Sequence, residues 1–309
     1  VSLALAGGAV AQDRALAIGT APSGGYLYPL GGAIAKVISE RVEGVQVTAE
    51  ATAGSVQNAQ LTGADPTYLG LVNNDTAYDA VVGQNKFAGT PLPLRTLVVL
   101  VPSHLYLITR ADTGIDSIAD LKGHRVSTNL PGSGIEVMAL RVIGYAGLDP
   151  DSDISREKMS IPDSAAALKD GKIDAFFIIG NTHAAPLLEL ASTPGMEMKL
   201  VPTDTYSDRM NSEFGQVYTH GVIAAGTYPG IDVDVPVQDS WNTLVAHKDL
   251  SDEDAYNFAK AVIEGKADIV AILPDADAIA IANQVAPQSA IEFHPGALKY
   301  FREQGLAAN

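Results

Sequence analysis

The chain has 309 residues, 47% of them hydrophobic and 18% charged, with no cysteine and a formal net charge of −16. That composition is globular, long enough for two domains each with its own core, and it excludes disulfides, thiol catalysis and cysteine-ligated metals. So acidic a chain is a poor partner for nucleic acid or anionic lipid, although a local cradle of backbone dipoles can still receive a small anion.

Residues 1–11 are small and apolar and end in Ala9-Val10-Ala11. This is the pattern of a secretory h-region with cleavage after Ala11 and predicts an exported protein. The basic n-region is absent, so the sequence is expected to begin within the signal. No later stretch reaches the roughly 18 apolar residues of a membrane span.

The first folded unit is a strand at Ala15-Leu16-Ala17-Ile18, a glycine-rich turn from Gly19 to Gly32, and a helix. Tyr26, Leu30, Ile34, Val37 and Ile38 recur at helical spacing. Such a turn sits at the carboxyl end of its strand, where open α/β sheets bind ligands. Its glycines admit close approach, and the first helical amides favour an anion. The turn matches neither G-x-G-x-x-G nor a phosphate loop with its Lys-Ser/Thr pair, which disfavours a nucleotide. A turn that only packs the helix close to the sheet is the competing reading.

A strand at residues 45–49 follows, then a short helix from Gly54 and Ser55 with Asn58 one turn on. The buried run Tyr68–Val72 ends in Asn73-Asn74-Asp75-Thr76. Asp75 is either the N-cap of a helix over 76–82 or a ligand contact, and Asn73 is the better ligand candidate. β-Rich runs over 95–101 and 105–109, interrupted by Pro102 and Ser103, predict hinge strands between domains. A strand at residues 124–127 leads into the second glycine-rich turn, Asn129 through Pro131-Gly132-Ser133-Gly134, and a helix to Tyr145. Strand, Gly/Ser turn and helix thus recur, and two such turns facing across a cleft place two sets of N–H donors on one ligand. Further on, residues 163–170 read as a helix and 173–179 as a strand ended by Gly180 and Asn181. Residues 203–221 read as irregular, and 220–224 as the return to the first domain. Residues 234–246 read as β-rich, and helices are expected over 251–263, 274–283 and 296–304.

The six histidines are scattered, without the pairings that zinc needs, so no metal or cofactor is expected. Ser133 resembles half of a nucleophile elbow, but G-x-S-x-G is not matched and no histidine is tied to it. A secreted hydrolase using Ser133 is the alternative function.

Several stretches together resemble the TAXI solute receptors of tripartite TRAP transporters. They are Gly19-Thr20 with Tyr26-Leu27-Tyr28-Pro29, Gly54-Ser55-Val56-Gln57-Asn58, and Asp120-Leu121-Lys122-Gly123 with Pro131-Gly132-Ser133-Gly134. To these are added Gly171-Lys172-Ile173-Asp174-Ala175-Phe176-Phe177, Gly226-Thr227-Tyr228-Pro229-Gly230 and His294-Pro295-Gly296-Ala297. The likeness spans nearly the whole chain from Ala15, with departures at Asn73-Asn74 and Asn181-Thr182-His183. It implies an α/β, two-domain periplasmic binding protein fold of type II-like form, each domain a mixed sheet flanked by helices, joined by crossing hinge strands. The domains are expected at residues 12–104 with 222–309, and at 105–221. It implies a monomeric receptor without catalysis that closes on a small organic anion such as glutamate or a related carboxylate and delivers it to membrane subunits. Carried over by position, Gly19, Thr20, Ser23, Gly24, Gly25 and Tyr26 face the cleft from the first turn. Asn129, Gly132, Ser133 and Gly134 face it from the second, with Ser55, Asn58 and Asp75. Asn73, Gly180 and Asn181 join them as polar strand ends.

Overall fold

The computed structural model describes residues 14–23, 25–182, 185–286 and 288–306. The expected signal segment and Gly24 lie outside the described residues. The strands are β1 (Arg14–Gly19), β2 (Val45–Glu50), β3 (Tyr68–Asn73), β4 (Leu94–Arg110), β5 (Arg125–Ser127), β6 (Ser155–Glu157), β7 (Ala175–Gly180), β8 (Met198–Val201), β9 (Thr219–Ile223) and β10 (Val235–His247). The helices are α1 (Leu27–Arg41), α2 (Ser55–Ala64), α3 (Asn74–Val82), α4 (Gly134–Tyr145), α5 (Ile161–Lys169), α6 (Ala185–Ala191), α7 (Ser207–Phe214), α8 (Asp252–Glu264), α9 (Lys266–Ile272) and α10 (Pro295–Glu303).

The strands form one mixed sheet in the order β2-β1-β3-β10-β4-β7-β5-β6, with β8 on β4 and β9 on β10. The outer strands pair in parallel, as their helical crossovers require, and their apolar runs are covered by helices. The two central strands, β4 and β10, are long and antiparallel, running from Leu94 opposite His247 to Leu105 opposite Gln238. Leu16, Ile18, Leu69, Val98 and Leu244 pack with the buried face of α1 and with α8 and α10 in one core. A second core gathers Leu105, Leu107, Val126 and Phe177 under α4, and a third gathers Tyr106, Ile108, Phe176 and Ile178 with Ile223, Val235 and Val237. Both central strands therefore contribute to cores at either end of the sheet.

The two β-rich runs around Pro102 are a single 17-residue strand. Pro102 lies opposite Trp241 in the pairing with β10, while on its other edge β7 pairs β4 only from His104 onward, so that edge is open where the proline lacks an N–H. Across the strand, the pairing with β10 shifts register between Trp241 and Thr243. The segment 220–224 is β9, an antiparallel partner of β10, and its Ile223 packs with Val235 and Val237. The segment 203–221 is not irregular throughout, since it contains α7. That helix buries only Ser207, Met210 and Asn211, leaving no apolar stripe to read. The expected helix at 274–283 is two short 3₁₀ turns, Pro274–Ala278 and Ile281–Asn283, beyond an α9 that was not expected. The buried Gln284 explains the break: its amide accepts from Val99 N at 2.8 Å and donates to Val99 O at 2.9 Å. The segment is tied to β4 by that side chain rather than wound into a helix.

Candidate functional site

A cavity of about 170 Å³ lies where the carboxyl ends of β1, β3, β5 and β7 meet the middle of β4 and β10. Among the described residues, the N-caps of five helices line it: Tyr26 for α1, Gly54 for α2, Asn73 for α3, Ser133 for α4 and Ser160 for α5. Each helix presents amides with no intrahelical partner and the positive end of its dipole at that point. The second glycine-rich turn meets the start of α2 directly. Val56 N, in the first turn of α2, donates to Gly132 O at 3.2 Å. A Cβ on Gly54 would lie 3.5 Å from Ser133 Cα, and one on Gly134 would overlap Asn73 Oδ1 and sit 2.9 Å from Ser55 Oγ.

The floor is a chain of neutral amides and hydroxyls. Ser55 Oγ donates to Asn73 Oδ1 at 2.8 Å, and Asn73 Nδ2 donates to Asn242 Oδ1 at 2.9 Å. Asn242, beside the register shift of β10, donates in turn to Val101 O at 3.1 Å and to Ser103 Oγ. Ser133 Oγ is committed, donating to Leu130 O at 2.8 Å and accepting from Glu136 N at 3.1 Å.

Two buried polar groups of the lining have no such commitment. Asn129 is only 5% exposed and holds φ +71°, a left-handed conformation that asparagine tolerates better than most residues. Its Oδ1 accepts from Leu130 N at 2.8 Å, while its Nδ2 has no hydrogen-bond partner among the described residues. The Tyr26 hydroxyl is likewise buried and unpartnered. Burial, with the charge of Asp275 behind it, holds that phenol far above its ordinary pKa, so it stays protonated and available as a donor. No side chain lining the cavity among the described residues carries a charge.

Of the residues expected at the site, Ser23, Gly25, Tyr26, Ser55, Asn73, Asn129, Ser133 and Gly134 line this cavity. Gly180 and Asn181 line an adjoining hollow. The others face inward and hold the frame. Gly19 packs against Asn58 and Tyr68, with no room for a side chain. Thr20 is fully buried, its hydroxyl donating to Glu50 O at 2.7 Å. Asn58 Nδ2 donates to Thr20 O and Leu71 O at 2.7 and 2.8 Å, stitching α2 to two strand ends. Gly132 supplies the carbonyl that Val56 N binds.

Asp75 neither caps a helix nor reaches the cavity. The N-cap of α3 is Asn73, and Asp75 lies in the first turn of the helix, fully buried. It accepts from Thr76 N at 2.7 Å and Tyr218 Oη at 2.9 Å, and it pairs with Arg141 at 3.5 Å. Arg141 also binds Asp79 and lies 4.1 Å from the centre of the Phe214 ring. Burial pushes the Asp75 carboxyl up while Arg141 pulls it down. Burial works against the Arg141 charge too, but Tyr218, Asp75 and Asp79 more than offset it and raise its pKa.

Ser103, Ser160 and Asn242 line the cavity and were not expected there. Ser160 carried a readable signal, Ser160-Ile161-Pro162-Asp163, a serine cap with proline in the first turn and an acid three residues on. Ser103 and Asn242 depend on how β4 and β10 cross, which no local pattern encodes.

A model of the NMT1-like family matches residues 18–305 of the chain. Among solved structures, MatC from Rhodopseudomonas palustris with bound malate is similar at 16% identity, covering 94% of this chain and 96% of that one, with a TM-score of 0.57. The binding protein component of an ABC phosphonate transporter from Pseudomonas aeruginosa is similar at 17% identity, covering 85% and 79%, with a TM-score of 0.58. The periplasmic binding protein BugD is similar at 14% identity, covering 95% and 94%, with a TM-score of 0.55. These likenesses carry the architecture, an α/β fold of two domains.

Proposed function

The chain belongs to the NMT1-like family and has the two-domain fold of periplasmic binding proteins, and from that premise we propose that it is an extracytoplasmic receptor for a small organic anion. The observation that carries this reading is the convergence of five helix N-termini, with the free amide of Asn129, on a cavity that has no charged side chain among the described residues. Backbone dipoles in a dry site stabilise one negative charge without a guanidinium or ammonium clamp. A carboxylate fits such donors. The two turns grip it from opposite domains, which close by flexing about β4 and β10.

The sequence resemblance to TAXI receptors supports delivery of the solute to the membrane subunits of a tripartite TRAP transporter, with the protein itself in the periplasm. No described helix is long and apolar enough to cross a membrane. Ser133 is a helix cap in this reading and not a nucleophile, because both roles of its hydroxyl are taken by Leu130 and Glu136. Native mass spectrometry of gently purified protein tests the proposal. A retained organic acid at one per chain is the expected result, with a rise in melting temperature on adding it back. A screen of carboxylates, sulfonates and amino acids that produces no such rise overturns it.

A further inference from the structure

A second hollow, of about 280 Å³, adjoins the first. Ser23, Gly25, Tyr26, Ile161 and Ile179 line both, so the two spaces are continuous, with Tyr26 at their junction. The chemistry changes across that junction. The inner space is walled by N-caps, hydroxyls and amides. The outer one adds Pro29, Ile178, Pro186 and Leu273, with Gly180 and Asn181 at the end of β7. The Asn181 side-chain Nδ2 is already spent on the Asp275 carboxylate, and the Asn181 backbone carbonyl accepts from Tyr106 Oη at 2.9 Å. Among the described side chains the outer space thus offers a polar group only the Ser23 and Tyr26 hydroxyls that it shares with the inner one, and the Asp275 charge held by Asn181 is negative.

We propose that the solute is a monoanionic organic acid with a compact apolar body, branched or aromatic, whose acid group sits among the N-caps and whose body fills the outer space. This rests on the anion reading above and narrows it. Among the described side chains of the outer space, a second acid group would find only the Ser23 and Tyr26 hydroxyls, which the inner space shares, and it would stand near Asp275, so most of its hydration would be lost without replacement. An apolar body there leaves water for a wall of isoleucine, leucine and proline. The buried, unpartnered Tyr26 hydroxyl gives the junction a donor for the acid group or for a polar atom next to it, beside the Ser23 hydroxyl. Dicarboxylates, glutamate included, are then the wrong shape of charge for this site.

Calorimetric titration of the full chain with acetate, isovalerate, phenylacetate, phenylacetamide, succinate and glutamate tests the inference. Isovalerate or phenylacetate is expected to bind at least about tenfold tighter than acetate, from the extra apolar groups buried. Succinate and glutamate are expected to bind more weakly than either. The Asp275→Asn variant is expected to narrow the gap between phenylacetate and succinate, without change in the melting temperature of the free protein. Equal affinity for acetate and phenylacetate, or preference for a diacid, overturns the inference and leaves the anion reading standing. Equal binding of phenylacetamide and phenylacetate overturns the anion reading instead, and no binding by any of the acids overturns both.

Discussion

At the scale of single residues the site turns on Asn129, which holds an unfavourable backbone conformation while keeping a donor unspent. A left-handed asparagine costs stability unless its surroundings fix it, and such cost gathers at binding sites. Asn129→Gly keeps the backbone and deletes the donor. It also removes the acceptor for Leu130 N, which opposes the relief of the left-handed backbone, so the melting temperature of the free protein is expected to change little. Affinity for the retained acid should fall about tenfold or more, the worth of one hydrogen bond to a charged group, and calorimetry reads this directly. Ser133→Ala acts on stability instead. Loss of the bond to Glu136 N should cost about 1 kcal/mol in urea denaturation, with turnover of esters absent in parent and variant alike. Residues at this scale were legible where a turn motif carried them, as with Ser23, Tyr26, Asn129 and Ser133. Thr20 and Asn58 lie in the same motifs yet face the frame, because motif position does not reveal which way a side chain turns. Asn242 was illegible for another reason: its place is set by strand pairings with partners about half the chain's length away.

At the scale of elements, the site is a packing of helix starts on strand ends. α4 approaches β3 closely only because position 134 has no side chain. Gly134→Ala should force Asn73 and Ser55 apart from the start of α4, lowering affinity for the retained acid while circular dichroism still reports a folded chain. A second element contact responds to pH. Arg14, at the start of β1, grips the Asp254 carboxylate in the first turn of α8 through two bonds of 2.8 and 2.6 Å. The hydrogen bond from Arg14 holds the Asp254 pKa below its ordinary 3.8. A depressed acid contributes stability that is present above the unfolded pKa and lost as pH falls through the folded one. Melting temperatures of the parent and Asp254→Asn should therefore differ at neutral pH and converge below about pH 3.8. Elements with an apolar rhythm, such as α1, β3 and β7, were readable from sequence. α7 was not, because it is almost wholly polar, and neither was the unity of β4 through Pro102, which depends on where β7 starts pairing.

At the scale of the whole molecule, the halves of the sheet are held by buried charge as well as by strands. Asp75 and Asp79 lie on α3, Arg141 lies on α4, and all three are at most 8% exposed. Arg141→Met leaves two buried carboxylates without their cation, and about 3–5 kcal/mol of stability should be lost in urea denaturation. Adding Asp75→Asn and Asp79→Asn to that variant should restore much of the loss. A smaller deficit in the single variant than in the triple one would show that the cluster is not held by its charges.

The longest strands of the protein belong to neither half alone, since β4 and β10 each furnish side chains to cores at both ends of the sheet. Heat cannot melt one lobe and spare the other without tearing these shared staves lengthwise. A scanning calorimeter should accordingly record one peak, and limited proteolysis should leave no surviving half-molecule.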